Sequence, residues 1–209
     1  MTTIALIVGH ADPQSFCHAL ARAYEDAARA AGASVTRLDL AALAFDPVLR
    51  TGHRTHQVLE PDLVHAQTVL TEAAHVVFVF PMWWASTPAL VKGFIDRVFL
   101  PGFAFRYERG HSFPKKLLVG RSARLITTMD SPRLWYALGY RNALHRGFVD
   151  GTLKFVGLSP VRENVFYSLR SMTTEARARA LSRVEDSARQ DARILLGARP
   201  NVAPRALTG

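Results

Sequence analysis

The chain has 209 residues, enough for one domain with a full hydrophobic core and short of the size at which cores divide. A composition of 49% hydrophobic and 21% charged residues excludes intrinsic disorder. The net charge of +9 admits nucleic acid or anionic small molecules as partners, but the arginines are scattered singly, which reads as a solvated surface and not a nucleic-acid face.

Residues 3–8 form a short apolar run without helical period and read as a strand; a Gly9-His10-Ala11-Asp12-Pro13 loop and a helix over 15–31 follow. Gly32 stops that helix, and the β-branched stretch 34–38 reads as a second strand. Residues 40–61 are irregular, and a helix is predicted over 62–74. The run VVFVF at 76–80 is apolar on both alternating faces, as in the middle of a parallel sheet. Pro88 opens a helix to residue 98, an aromatic and Gly-rich loop follows, and 123–128 is the fourth strand. A helix over 132–148, a fifth strand over 161–167 and a long Arg- and Ala-rich helix over 173–196 complete the pattern.

Strands alternating with helices predict an α/β fold: a five-stranded parallel sheet, helices on both faces, in the flavodoxin-like order 2-1-3-4-5. One domain over residues 1–197 is expected, with 198–209 as a tail packed on a partner subunit or loose. Ligands of such a sheet bind beyond the carboxyl ends of the strands, at the switch point between strands 1 and 3. Three loops then make the site: 10–15, 81–87 and 129–135.

Ser15 stands at a helix start, where its hydroxyl and the free N–H groups of Phe16, Cys17 and His18 suit a phosphate, with His10 alongside; a plain helix cap explains Ser15 as well. Neither G-x-G-x-x-G nor G-x-x-x-x-G-K-[ST] occurs. Trp83 and Trp84 offer flat faces to a planar cofactor ring, unless they are buried in the core or in a dimer interface.

The segments Pro81-Met82-Trp83-Trp84, Pro88-Ala89-Leu90-Val91-Lys92-Gly93-Phe94-Ile95-Asp96-Arg97-Val98 and Gly102-Phe103-Ala104-Phe105 resemble the flavodoxin-fold NAD(P)H:quinone oxidoreductases. With His10, Ser15-Phe16 and Thr127-Thr128 the resemblance covers roughly residues 3–165. It implies a bound flavin, FMN with FAD as the alternative, NADPH or NADH as donor, and a quinone-like small acceptor served in ping-pong order. It further implies that His10, Ser15, Phe16 and Cys17 lie near the phosphate-bearing chain. Pro81, Met82, Trp83 and Trp84 would lie beside the flavin ring, and Thr127, Thr128, Met129 and Asp130 would form the third loop. A homodimer is implied as well, for which Phe99, Phe103 and Phe105 are the candidate contacts. Three positions depart from the family pattern: Met129-Asp130 where Gly-Gly is common, Ala85 in place of an aromatic, and Cys17 in place of Asn. For the tyrosine and histidine that assist in some members, Tyr136, Tyr140 and His145 are nearby candidates, with Tyr136 and His145 preferred.

Other chemistries are weaker. His53, His56 and His65 lack a carboxylate or fourth ligand, so no metal is expected. Cys17, the only cysteine, excludes an internal disulfide and a cysteine-based zinc site. The apolar stretch 75–85 is about half the ~20 residues a membrane helix needs, so no span is expected. The start MTTIALIVGH lacks a signal's basic region, and a cytoplasmic protein is expected. The alternative function is a flavin-binding regulatory subunit of a transporter or other partner.

Overall fold

The computed structural model describes residues 3–52, 54–55 and 57–197; the expected tail, His53 and His56 lie outside the described residues. Five parallel strands form the sheet: β1 (Thr3–Val8), β2 (Ser34–Asp39), β3 (His75–Pro81), β6 (Ser122–Thr128) and β7 (Val161–Phe166), in the order β2-β1-β3-β6-β7. The two remaining strands, β4 (Phe105–Arg106) and β5 (Lys115–Lys116), pair antiparallel in a small hairpin that the sequence pattern did not announce. Leaving that hairpin aside, the order is the expected 2-1-3-4-5. β3 is buried along its whole length, as its unbroken apolar run requires.

Helices α1 (Phe16–Ala30) and α6 (Thr174–Gly197) cover one face of the sheet through Leu20, Tyr24, Val184 and Ala188. Helices α2 (Pro61–Glu72) and α3 (Ala89–Val98) cover the other through Leu63, Leu70, Val91 and Phe94. Gly9, at the end of β1, allows α3 to approach the sheet this closely, because a Cβ there would lie 2.1 Å from Val91 Cγ2. Among the described residues, no helix is long and apolar enough to cross a membrane.

The expected helix over 132–148 is not continuous. Helix α4 (Arg133–Leu138) stops at Gly139, Arg141 and Asn142 both take left-handed backbone, and a π-helical stretch (His145–Leu153) then leads into α5 (Lys154–Val156). Gly139 is required at the break: the Trp135 ring lies on it, and a Cβ would meet Trp135 Cε2 at 2.9 Å. Phe99 is also placed differently from expectation. It is buried in the protein's own core, while Phe103 and Phe105 pack against that core and remain partly exposed.

Two buried ionic clusters fasten the layers. Arg97 of α3, fully buried, donates to Glu60 Oε2 at 2.7 Å and to the Val58 carbonyl at 3.0 Å, and also to the Asp46 carbonyl, which pins the β2–α2 connection to α3. Asp191 of α6 accepts from Arg124 of β6 at 2.6 and 2.9 Å and from the Tyr24 hydroxyl of α1 at 2.9 Å. His75 Nε2 of β3 lies 3.2 Å from the same carboxylate. Burial pushes the Asp191 carboxyl up, but hydrogen bonds and charge from His75 and Arg124 outweigh it and hold the group well below the usual carboxylate range.

Candidate active site

The three loops expected to form the site meet at the carboxyl ends of β1, β3 and β6. Cys17 Sγ, just after the first loop, lies 3.4 Å from Thr128 Oγ1 at the end of β6. The second loop joins the third through Met82 N–H, which donates to the Thr128 carbonyl at 2.7 Å. His10 of the first loop packs edge-on against Trp83 of the second, with ring centroids 5.6 Å apart.

In the first loop Ser15 caps α1, its hydroxyl accepting from His18 N–H at 3.4 Å, while the N–H groups of Phe16 and Cys17 donate to no protein group among the described residues. Two such donors at the positive end of a fifteen-residue helix make a corner that could hold an anion. His10 Nδ1 accepts from Asp12 N–H at 3.0 Å, and burial, opposed by Asp12 and reinforced by His18, lowers its pKa. The ring is therefore neutral at pH 7 and carries its proton on Nε2, ready to donate. Burial pushes the Cys17 thiol up to about 11, so it adds no negative charge beside the corner.

The second loop turns back on itself within two residues. Trp83 N–H donates to the Ser86 carbonyl at 3.0 Å and Ser86 N–H to the Trp83 carbonyl at 2.9 Å, with Trp84 at φ 51° and Ala85 at φ 57°. Two successive left-handed residues make the mirror-image hairpin turn that ordinarily recruits Asn and Gly. Pro81 and Met82 are buried beneath it, Trp83 is half exposed, and Trp84 is fully exposed at the tip.

The third loop departs from expectation in an informative way. Thr127 and Thr128 are buried, and the Thr127 hydroxyl has no partner. Met129 sends its side chain into the core, and Asp130 turns its carboxylate to the Arg170 N–H, 3.0 Å away. A pocket of about 460 Å³, lined by Asp130, Pro132, Ser168, Arg170 and Ser171, opens beside this loop.

Tyr136 and His145 are brought together. The Tyr136 hydroxyl bonds His145 Nδ1 and accepts from His145 N–H at 3.3 Å, and His145 Nε2 lies 3.2 Å from Glu163 of β7. Tyr136 is only 1% exposed, and burial pushes its hydroxyl up to about 12. Two neighbours of the site were not picked out from sequence. Glu163 ends the Tyr136–His145 chain, and Arg177 of α6 holds its guanidinium 5.1 Å above the Phe16 ring. Arg177 read as one charge among many on a mixed-charge helix, and only the packing of α6 on α1 brings it to the anion corner.

The family described as having a flavodoxin-like fold matches residues 2–188. The NAD(P)H dehydrogenase [quinone] 1 of Rattus norvegicus is 28% identical over 84% of this chain and 72% of its own length. The ribosyldihydronicotinamide dehydrogenase [quinone] of Pongo abelii is 29% identical over 83% of this chain and 85% of its own. Among solved structures, Smu.1420 from Streptococcus mutans UA159 superposes with a TM-score of 0.75 at 28% identity, over 90% of this chain and all of that one.

Proposed function

The chain belongs to the flavodoxin-like fold family, and from that membership we propose that it is an NAD(P)H:quinone-type oxidoreductase working through a bound flavin. The observation that carries the reading is the convergence of three loops at the switch point, joined by the Cys17–Thr128, Met82–Thr128 and His10–Trp83 contacts. The relatives' activities on NAD(P)H and on quinones support the choice of donor and acceptor. The net reaction is NAD(P)H plus a proton plus quinone giving NAD(P)⁺ and hydroquinone.

The residues present fit a flavin mononucleotide. The free N–H groups of Phe16 and Cys17, the Ser15 hydroxyl and the neutral His10 would hold a phosphate, with Arg177 adding positive charge alongside. Pro81 to Trp84 would flank the ring system, and the N–H groups of Asp130 and Ser131, which donate to no protein group, are available to its polar edge. When bound, flavin supplies hydride acceptance and release, which no side chain of the chain can perform. Ala85 leaves room over the site for donor and acceptor rings. Tyr136, held protonated and buried, acts with His145 and Glu163 as a positioning chain between α4, the π-helical stretch and β7.

A homodimer belongs to the same reading, supported by Leu134, Trp135 and Leu138, all exposed on the short α4. The test is a visible spectrum of the purified protein after incubation with FMN, then NADPH and NADH oxidation with a benzoquinone. Flavin absorbance with quenched fluorescence and acceptor-dependent oxidation is expected. A protein that stays colourless with both FMN and FAD overturns the proposal.

A further inference from the structure

The third loop is laced to the loop that follows β7. Met129 N–H donates to the Phe166 carbonyl at 2.9 Å, and the Met129 carbonyl accepts from Leu169 N–H at 3.1 Å. The Ser131 carbonyl accepts from Ser168 N–H at 3.4 Å. The fourth bond is of another kind: the carboxylate of Asp130 accepts the backbone N–H of Arg170 at 3.0 Å, while the Arg170 guanidinium stands 3.9 Å off in solvent.

That arrangement is a helix cap supplied across loops. Residues Leu169–Ser171 form a single 3₁₀ turn whose preceding residue, Ser168, makes no side-chain cap and sits in left-handed backbone at φ 54°. Left-handed backbone is strained for serine and persists only where neighbouring contacts over-determine it. Asp130, forty positions earlier in the chain, supplies the cap that Ser168 does not. The ion pair is too exposed to matter much, so the work falls on the charge-assisted bond to the N–H.

Both backbone groups of Met129 are committed to this lacing, whereas the N–H groups of Asp130 and Ser131 are not committed to any protein acceptor. We infer that Asp130 is a positioning residue for the cofactor: by capping the Leu169–Ser171 turn it fixes the third loop with the Asp130 and Ser131 N–H groups presented to the flavin. It thereby takes over in this chain the loop-setting role of a glycine pair, by tethering the loop where glycines would only permit its course. The inference rests on the flavin reading above and adds to it a residue whose side chain acts through Arg170 N–H and not on the ligand.

Two variants and two readouts test it. Asp130→Ala removes the acceptor from an exposed position, and Asp130→Asn keeps an oxygen that can accept from the N–H. FMN dissociation constants are measured by fluorescence quenching, and amide hydrogen exchange at Arg170 is followed in the flavin-free protein. Asp130→Ala is expected to weaken FMN binding about tenfold and to speed exchange at Arg170, while Asp130→Asn stays within about twofold of the unsubstituted chain on both. FMN affinity unchanged in Asp130→Ala, or lost equally in Asp130→Asn despite slow exchange at Arg170, overturns the positioning role alone. An unsubstituted chain that takes up no flavin overturns the oxidoreductase reading itself, and the positioning role with it.

Discussion

Trp84 places the largest side chain available at full exposure on a backbone conformation that large side chains avoid. Local stability does not account for that choice, since strain of this kind costs about 1–3 kcal/mol. Stacking on the proposed flavin would account for it. The two effects predict opposite signs for one substitution: Trp84→Gly should raise the melting temperature of the flavin-free protein while weakening flavin binding by ~1–3 kcal/mol, with base–aromatic stacking as the guide. Flavin affinity that survives the substitution would reduce Trp84 to a surface residue. Cys17 allows a second prediction from the same corner. With its pKa near 11, about two units above the ordinary 9.0, its thiolate fraction at pH 8 is depressed about a hundredfold, and burial slows attack further. Iodoacetamide at pH 8 should leave it unmodified in the folded protein and alkylate it promptly in urea; fast labelling of the native state would show that the first loop opens.

Asp191 does for α6 what Arg97 does for the β2–α2 connection: each is a buried charge that fastens one element to others. A carboxyl held below its unfolded value stabilises the fold above that value, about 3.9 for Asp, and the contribution fades as pH falls toward the folded value. Urea unfolding should therefore show stability falling below about pH 4. Asp191→Asn, which strands the buried Arg124, should cost about 3–5 kcal/mol at pH 7 and flatten that acid limb. An unaltered acid limb in the variant would assign the acid sensitivity elsewhere. None of these partners was legible in the sequence, because Arg97 meets Glu60 37 positions away and Arg124 meets Asp191 67 away. The sheet was legible, since apolar runs such as 4–8 and 76–80 report burial directly, and with it came the three loops and their candidate ligands. The break after α4 was not, because it runs through left-handed backbone at Arg141 and Asn142, residue types that carry no strong helix-stop signal. Tyr136 and His145 were found as residues, but their link to each other depends on the π-helical stretch that follows the break.

At the scale of the molecule, the described residues form one main sheet with one switch point, where ligands of such sheets bind. On the proposed reading, donor and acceptor would use that one site in succession. The opposite arrangement would need a second recess within reach of the three loops. A pocket beside them lies between the Asp130 and Ser168 loops, on the side where Asp130 reaches Arg170. On that reading the net charge of +9 would favour encounter with an anionic dinucleotide and give an uncharged quinone no comparable pull. Double-reciprocal plots of NADPH oxidation at several quinone concentrations should therefore give parallel lines, and raising ionic strength should lower kcat/KM for NADPH more than for quinone. Intersecting lines would mean that both substrates are bound together, and would require a second binding surface beyond the shared site.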